Sequence, residues 1–171
     1  MVETGQQTLD DSVTDVNSMI RQICHDAKAL SGDQGHDVQV SVSDRHWVKG
    51  DESQLRSAFS NLVFNAVKYT PAGGTITVIW KTDREGAQLS VRDTGIGIDP
   101  VHIPRLTERF YRADPSRHQE TGGTGLGLAI VKHVLINHDG RLEILSHIGQ
   151  GSEFICHFPQ ERVTESPPEP A

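Results

Sequence analysis

Residues 51–74 read DESQLRSAFSNLVFNAVKYTPAGG and predict one long amphipathic helix. Asp51 is a suitable N-cap, because a carboxylate accepts hydrogen bonds from the free N–H groups of a first helical turn. The closing TPAGG supplies a proline and glycines that end the helix. At about 100° per residue, one broad arc of this helix is apolar and predicts the face that packs on the core. Its side chains are Leu55, Phe59, Leu62, Val63 and Ala66.

The opposite side of this helix carries a line of polar side chains. Asn61, Asn65 and Lys68 follow one another at i, i+4 and i+7, with Tyr69 at the flank. Asparagine is a mediocre helix former, so two of them one turn apart contribute nothing to the helix itself. Amide oxygens can ligate Mg²⁺, which keeps several of its waters, and an ammonium group can contact phosphate. The line is typical of a magnesium and phosphate site, and an ordinary solvated face is the alternative.

The segments on either side of this helix mix helices with antiparallel hairpins, without a regular βα alternation. This order favours an α+β sandwich with helices on one face of a sheet over a doubly wound parallel fold. Apolar spacing and turn residues predict the other elements. They are a helix over residues 13–30, a strand at 38–42, a hairpin of strands 75–80 and 87–93, a short helix capped by Asp99, a helix from Leu126 to about Asn137, and two final strands, RLEIL and EFICHF.

The segment VRDTGIGI, residues 91–98, places Asp93 at the end of a strand, ahead of two glycines. Glycines let the backbone approach a flat ligand closely. A carboxylate beside them can accept a hydrogen bond from an exocyclic amino group. A plain turn in which Asp93 only caps is the alternative.

The segment GGTGLGLAI, residues 122–130, leads into the last predicted helix. Its glycine spacing departs from the Rossmann fingerprint, and no Gly-Lys-Ser/Thr of a Walker A loop follows. The start of a helix can hold a phosphate, so a phosphate loop and a flexible hinge are the two interpretations. A third glycine segment, GQGSEF at residues 149–154, is by itself best interpreted as a hairpin bend.

The composition predicts one soluble domain with reduced thiols. The chain has 171 residues, 35% of them hydrophobic and 23% charged, and no run approaches the ~18 apolar residues of a membrane span. Its formal net charge of −7 argues against nucleic-acid binding. Cys24 and Cys156 lack metal-ligand spacing, as expected of thiols in the cytosol. Cations gather locally at Arg105, Arg109, Arg112 and Arg117.

Together, in this order and spacing, these segments resemble the catalytic and ATP-binding domain of sensor histidine kinases. NLVFNAVKYTPAGG is similar to the N box, DTGIGI to the G1 box, ERFYR to the F box, GGTGLGLAI to the G2 box and GQGSEF to the last glycine box. ERFYRAD and GGTGLGLAIVKH look most like the phosphate-regulon sensor kinase subgroup. The resemblance covers residues 14–160 and implies the Bergerat ATP-binding fold, a two-layer α/β sandwich with a mixed, mostly antiparallel sheet. Around it we expect a flexible segment, 1–13, and a disordered tail, 161–171.

The resemblance implies ATP and Mg²⁺ as cofactors and gives the matching residues roles around the phosphates. Asn65 would ligate Mg²⁺, Asn61 would contact phosphate or water beside it, and Lys68 would contact phosphate. Arg112 would approach the phosphates from an ATP lid at about 105–124, which we expect to be mobile without nucleotide. The residues that would wrap the triphosphate are Gly123, Thr124, Gly125, Leu126 and Gly127.

The same resemblance gives roles around the base. Tyr69 would stack near the adenine, and Asp93 would accept a hydrogen bond from its amino group. Gly95 and Gly97 would let the base lie against the backbone.

A histidine kinase also needs a phosphoacceptor H box of the form H-[ED]-x-x-[TN]-P, and no histidine here has that context. His25 matches only its first two positions, with Leu30 where proline belongs, so we interpret His25 as an ordinary helix residue. We therefore expect a kinase core that lacks its substrate domain. It would bind Mg·ATP and donate the γ-phosphoryl group to a histidine on a separate dimerisation domain, and a response regulator would be an indirect partner in two-component signalling.

Two alternatives keep the fold and change the function. One is a regulatory ATPase or serine kinase of the same superfamily acting on a partner protein, and the other is a pseudokinase that only binds nucleotide. For the histidine kinase core we expect a cytoplasmic monomer with little activity of its own, which could be the cytoplasmic part of a membrane-bound sensor.

Overall fold

A computed structural model describes residues 12–42, 47–107 and 127–164. The main sheet has five strands in the order β2-β4-β5-β7-β6, and a smaller sheet has the order β1-β3-β8. The strands are β1 (Ser12–Thr14), β2 (Asp37–Val42), β3 (Trp47–Gly50), β4 (Thr75–Asp83), β5 (Gly86–Asp93), β6 (Arg141–His147), β7 (Gly151–Pro159) and β8 (Val163–Thr164). Within the described residues the α-helices are α1 (Val16–Ser31), α2 (Glu52–Tyr69) and α3 (Gly127–Asn137), and 3-10 turns cover Gly32–Gln34, Pro100–Arg105 and Gln160–Arg162.

The main sheet is mixed and mostly antiparallel. β2 pairs parallel with β4, whereas β4–β5, β5–β7 and β7–β6 are antiparallel. Because side chains alternate between the faces of a strand, every second residue of β4 and β5 joins the core together with the helices. At the centre of the core Phe158 contacts Phe59 edge-on, with ring centroids 6.0 Å apart, and lies 6.3 Å from Trp80. The predicted sandwich of a mostly antiparallel sheet and helices is confirmed.

α2 forms as the sequence predicts. The Asp51 side chain accepts a hydrogen bond from the Gln54 N–H at 3.1 Å, and the helix ends at Tyr69, two residues before Pro71. All five side chains of the predicted apolar arc are buried. The side of α2 opposite the core is therefore the side that carries the asparagines.

A buried histidine fixes α3 against the start of α2. His138 is fully buried just beyond the end of α3. Its Nδ1 lies 2.7 Å from the Val134 carbonyl, and its Nε2 accepts a hydrogen bond from the Asp51 N–H at 3.0 Å. A β-carbon at Gly50 would collide with this ring. One imidazole therefore sets the spacing between the two helices that border the candidate site.

The smaller sheet was not predicted. Val13 lies in β1 rather than in the first helix, and Leu30, expected on its apolar side, is 54% exposed. β3 pairs with β1 on one side and with β8 on the other. Residues 161–164, assigned to the tail, lie in the last 3-10 turn and in β8. Strands of two to four residues are too short to show an alternating pattern, which explains why the sequence did not reveal them.

The cysteines agree with the expectation from composition. Cys24 and Cys156 are both buried and unpaired. Burial raises the pKa of the Cys24 thiol to about 11 and that of Cys156 to about 12, so both thiols stay protonated.

Among the described residues no helix is both long and apolar enough to cross a membrane.

Candidate functional site

The polar side of α2 presents groups that the fold leaves available. Asn61 and Asn65 are half-buried, one turn apart, and Lys68 is exposed. The Asn61 amide donates to the Ser57 carbonyl at 2.7 Å, which leaves its oxygen available as an acceptor. The side chains of Asn65 and Lys68 form no hydrogen bond or ion pair with any other described residue. These amides and the ammonium are therefore available to a ligand.

The start of α3 lies over this asparagine pair. A β-carbon at Gly127 would be 3.1 Å from the Asn61 amide oxygen and 3.3 Å from the Asn65 amide nitrogen. Only glycine lets the two helices approach so closely without moving an amide. The first N–H groups of a helix have no acceptor within it, and the helix dipole is positive at that end. The two asparagines therefore border a positive helix end, which favours a bound anion.

Asp93 lies at the end of β5 with only 7% of its surface exposed. Its Oδ1 accepts hydrogen bonds from the Gly95 N–H at 2.8 Å and the Ser152 N–H at 3.2 Å. No described residue donates to the other oxygen, Oδ2. Burial raises the pKa of Asp93, and the two backbone hydrogen bonds lower it in part. One oxygen is thus fixed by the fold, and the other is a strong acceptor without a partner in the described part of the chain.

The glycine loop after Asp93, residues 94–98, is enclosed between two elements. A β-carbon at Gly95 would lie 2.6 Å from the Tyr69 carbonyl oxygen, and one at Gly97 would collide with the His147 carbonyl. Gly97 also has a φ of 76°, which favours glycine. On the far side the Gly149 N–H donates to the Ile96 carbonyl at 2.8 Å. The loop needs its glycines because α2 and the β6–β7 turn both contact its backbone.

α2 is therefore common to two parts of the site. Its middle contacts the start of α3 at Gly127, and its end contacts the loop at Gly95. Amide and ammonium groups thus lie along the same helix whose end touches the loop of Asp93. The arrangement can hold an anion with its counterion at one end and a flat, amino-bearing group at the other.

The sequence model of a family described as histidine kinase-, DNA gyrase B- and HSP90-like ATPases matches residues 50–162. The chain belongs to this ATPase family. The matched range runs from the end of β3 to the last 3-10 turn and includes Asn61, Asn65, Asp93 and Gly127. The resemblance to the ATP-binding domain of histidine kinases is confirmed.

Individual proteins also resemble this chain in sequence or in structure. The phosphate regulon sensor protein PhoR of Pseudomonas aeruginosa is 57% identical over 157 residues, which cover 92% of this chain and 35% of PhoR. The mycobacterial sensor histidine kinase MprB superposes with a TM-score of 0.75 at 30% identity, over 87% of this chain and 97% of that structure. Full-length ShkA in complex with AMPPNP gives a TM-score of 0.77 at 28% identity, over 92% of this chain and 32% of that one. The chain thus spans about a third of the curated relative.

The structure brings several of the expected ATP-site residues together. Asn61 and Asn65 contact Gly127, and Gly95 lies between Tyr69 and Asp93. His25 is an exposed residue of α1, as expected of an ordinary helix position. The predicted cap at Asp99 is also present, because its side chain accepts from the Val101 N–H at 3.0 Å, although the turn that follows is a 3-10 helix.

Other expected positions belong to the lid and to the glycine segment before α3. Arg112, Gly123, Thr124, Gly125 and Leu126 lie outside the described residues, as does most of the lid expected at about 105–124. Sequence reasoning also missed Ser152, whose backbone N–H holds Asp93. Its place in GQGSEF after two glycines could have indicated a close backbone contact, but not the partner of that contact.

Proposed function

We propose that this chain binds Mg·ATP and donates the γ-phosphoryl group to a histidine on a separate dimerisation and phosphoacceptor domain. The observation that supports this most directly is that α2 contacts both glycine segments, at Gly127 and at Gly95. Amide and ammonium groups therefore lie on the same helix as the contact to the Asp93 loop. Of the proteins that resemble this chain, MprB is named as a sensor histidine kinase and PhoR as a sensor protein.

The base would bind at Asp93. Its Oδ2, to which no described residue donates, would accept a hydrogen bond from the adenine amino group, since Oδ1 already holds two backbone N–H groups. Gly95 and Gly97 would let the ring lie against the backbone, and half-buried Tyr69 would stack near it. A base with a carbonyl in place of the amino group would leave Oδ2 facing another acceptor, so Asp93 would select adenine.

The triphosphate and its metal would bind along α2 and α3. Mg²⁺ takes hard oxygen ligands and keeps several waters, so one amide oxygen from Asn65 suffices as the protein ligand. Asn61 would contact a phosphate or a bound water, and Lys68 would contact phosphate. The donor set fits because the Asn65 amide and the Lys68 ammonium have no partner among the described residues. Arg112 and the segment Gly123–Leu126 would complete this side as a lid, and AMPPNP bound to ShkA supports a nucleotide here.

Phosphoryl transfer requires mainly positioning and charge neutralisation, so no nucleophile is needed in this chain. Mg²⁺, when bound, would neutralise charge on the phosphates. The acceptor imidazole nitrogen would form the new bond to the γ-phosphorus as the bond to the β–γ bridging oxygen breaks and ADP leaves. The acceptor domain would belong to the parent kinase, and a response regulator would receive the phosphoryl group next. We place this activity in the cytoplasm and expect the chain alone to be a monomer with little turnover.

The experiment mixes the chain with γ-labelled Mg·ATP and the isolated dimerisation domain of PhoR. We expect label on that domain that is lost in acid and retained in alkali, as phosphohistidine requires. Acid-stable label would instead indicate a serine kinase of the same fold, and release of inorganic phosphate alone would indicate a regulatory ATPase. Nucleotide binding by calorimetry without any transfer or turnover would indicate a pseudokinase.

A further inference from the structure

A buried serine connects the glycine loop of Asp93 to the β6–β7 turn. Ser146, near the end of β6, is 7% exposed. Its hydroxyl accepts a hydrogen bond from the Ile98 N–H at 2.7 Å, lies 3.1 Å from the Gly151 carbonyl oxygen and lies 2.7 Å from the Ser152 hydroxyl. Ile98 is the last residue of the loop, and Ser152 supplies the N–H that holds Asp93. The Ser146 side chain thus contacts both the end of the glycine loop and the residue that holds Asp93.

The hydrogen-bonding capacity of this hydroxyl is fully used. A serine hydroxyl has one hydrogen and two acceptor lone pairs. Donation to the Gly151 carbonyl leaves both lone pairs for the Ile98 N–H and the Ser152 O–H, so all three contacts form together. No contact of this group requires a water or a ligand.

An apolar residue would be expected at position 146 if the apolar face of β6 continued to the end of the strand. Leu142 and Ile144 precede Ser146 on the same face of β6, and their partners on β7 are Cys156 and Phe154. In the next row Ser146 lies opposite Ser152, so two hydroxyls replace an apolar pair. The replacement occurs where the strand meets the glycine loop. This placement indicates a role for the hydroxyls in holding the loop rather than in core packing.

We propose that Ser146 is a positioning residue for base recognition. It holds residues 94–98 on the β6–β7 turn and keeps Ser152 in place, so that the carboxylate of Asp93 faces the base in one orientation. The proposal rests on the proposed function, in which Asp93 accepts from the adenine amino group. It adds that the discrimination between bases with and without the amino group depends on a hydroxyl that does not touch the base.

The loop has few other anchors that a side chain supplies. The bonds from Gly149 to Ile96 and from Thr94 to the Thr75 carbonyl are between backbone groups. The Thr94 hydroxyl anchors the start of the loop by accepting from the Thr75 N–H at 3.0 Å, whereas Ser146 anchors its end. Without the Ser146 hydroxyl, the Ile98 N–H and the Gly151 carbonyl would be left without this partner, and the loop would shift to find others.

The test compares the affinities for ATP and inosine triphosphate, which lacks the amino group, by calorimetry with Mg²⁺. Variants are Ser146→Ala, Ser146→Thr, which keeps the hydroxyl, and Ser90→Ala as a matched control. Ser90 is a buried serine of the same sheet whose hydroxyl donates to Glu153 at 2.5 Å and forms no hydrogen bond with the loop. We expect Ser146→Ala to lose about tenfold of the preference for ATP, the value of one hydrogen bond, and the other two variants to keep it.

A folded Ser146→Ala variant that keeps the full preference would overturn the proposal. Amide hydrogen exchange of Ile98 in the unsubstituted protein provides a second measurement that does not depend on any variant folding. We expect this amide to be protected without nucleotide, and exchange at the rate of a free amide would also overturn the proposal. A wild-type protein that binds both nucleotides equally would contradict adenine recognition by Asp93, and with it the role of Ser146.

Discussion

The candidate site has two ends, the proposed base end at Asp93 and the proposed phosphate end at Asn65 and Lys68. They differ in how many of their hydrogen bonds the fold has already formed. At the base end Asp93 is buried, with one oxygen held by two backbone N–H groups. At the phosphate end Asn65 is only half-buried, Lys68 is exposed, and neither has a partner among the described residues. A residue whose bonds are already formed contributes to both stability and binding. We infer that substitutions of Asn65 and Lys68 change binding alone, whereas those at the base end can change both stability and binding.

The largest effect is expected at Asn65. Asn65→Ala removes the proposed Mg²⁺ ligand but breaks no hydrogen bond to a described residue. We expect Mg²⁺-dependent ATP binding to be abolished in calorimetry, with a melting temperature close to that of the wild type.

Asn137→Ala is the matched control for that substitution. Asn137 is a half-buried asparagine at the end of α3, where it donates to the Gln54 side chain at 3.1 Å. Its loss should lower stability by about 1 kcal/mol, the value of one hydrogen bond, and leave ATP affinity unchanged. An unchanged affinity in Asn65→Ala would remove Asn65 from the metal site. A large loss of stability in Asn65→Ala would contradict the inference that Asn65 contributes to binding alone.

The next effect is expected at Asp93. In Asp93→Asn the amide oxygen can still accept from Gly95 and Ser152, while the NH₂ group replaces Oδ2. A donor would then face the adenine amino group, which is also a donor. We expect a loss of about 10- to 100-fold in ATP affinity, the range for a hydrogen bond to a charged group.

Inosine triphosphate provides the control for this substitution. It presents a carbonyl where ATP presents the amino group, so the variant should bind it no worse than the wild type does. Equal losses for the two nucleotides would mean that Asp93 supports the loop without selecting the base.

The phosphate end was largely predictable because its geometry is local. Asn61, Asn65 and Lys68 lie on one helix, and a period of about 3.6 residues fixes which side they share. Asp51 and the apolar arc of α2 orient that side away from the core. The contact of Gly127 with this side could only be inferred from the family resemblance, because nothing in the spacing fixes how α3 packs on α2.

The base end was predictable only in part because its contacts are distant in sequence. The glycines near Asp93 indicated close backbone approach, but the Ser152 N–H that holds this carboxylate lies 59 residues away. Ser146 and Ile98 are 48 residues apart, and a serine in a strand has no periodic signature. Asp51 and His138, 87 residues apart, are hidden from the sequence for the same reason. Short-range patterns identify the helix and the loop, and long-range hydrogen bonds decide how they meet.

The smallest effect is expected in the pH dependence of stability. It tests whether burial or backbone hydrogen bonding has the larger effect on the pKa of Asp93. Burial raises the pKa of Asp93 above its ordinary value of 3.8, against the opposing effect of two backbone hydrogen bonds. A carboxyl whose pKa is higher in the folded state binds its proton more tightly there, so its contribution favours folding at low pH. That contribution is lost as the pH rises from the unfolded value through the raised folded value, and it is constant above that.

Urea unfolding of the wild type and of Asp93→Asn, from about pH 4 to about pH 8, isolates this contribution because the other titrating groups are common to both. The free energy of unfolding of the wild type, relative to the variant, should fall with rising pH and then level off. A difference that instead grows with pH would show that the hydrogen bonds from Gly95 and Ser152 outweigh burial. The ionised carboxylate would then stabilise the fold, and Asp93 would be held in its charged form before any nucleotide binds.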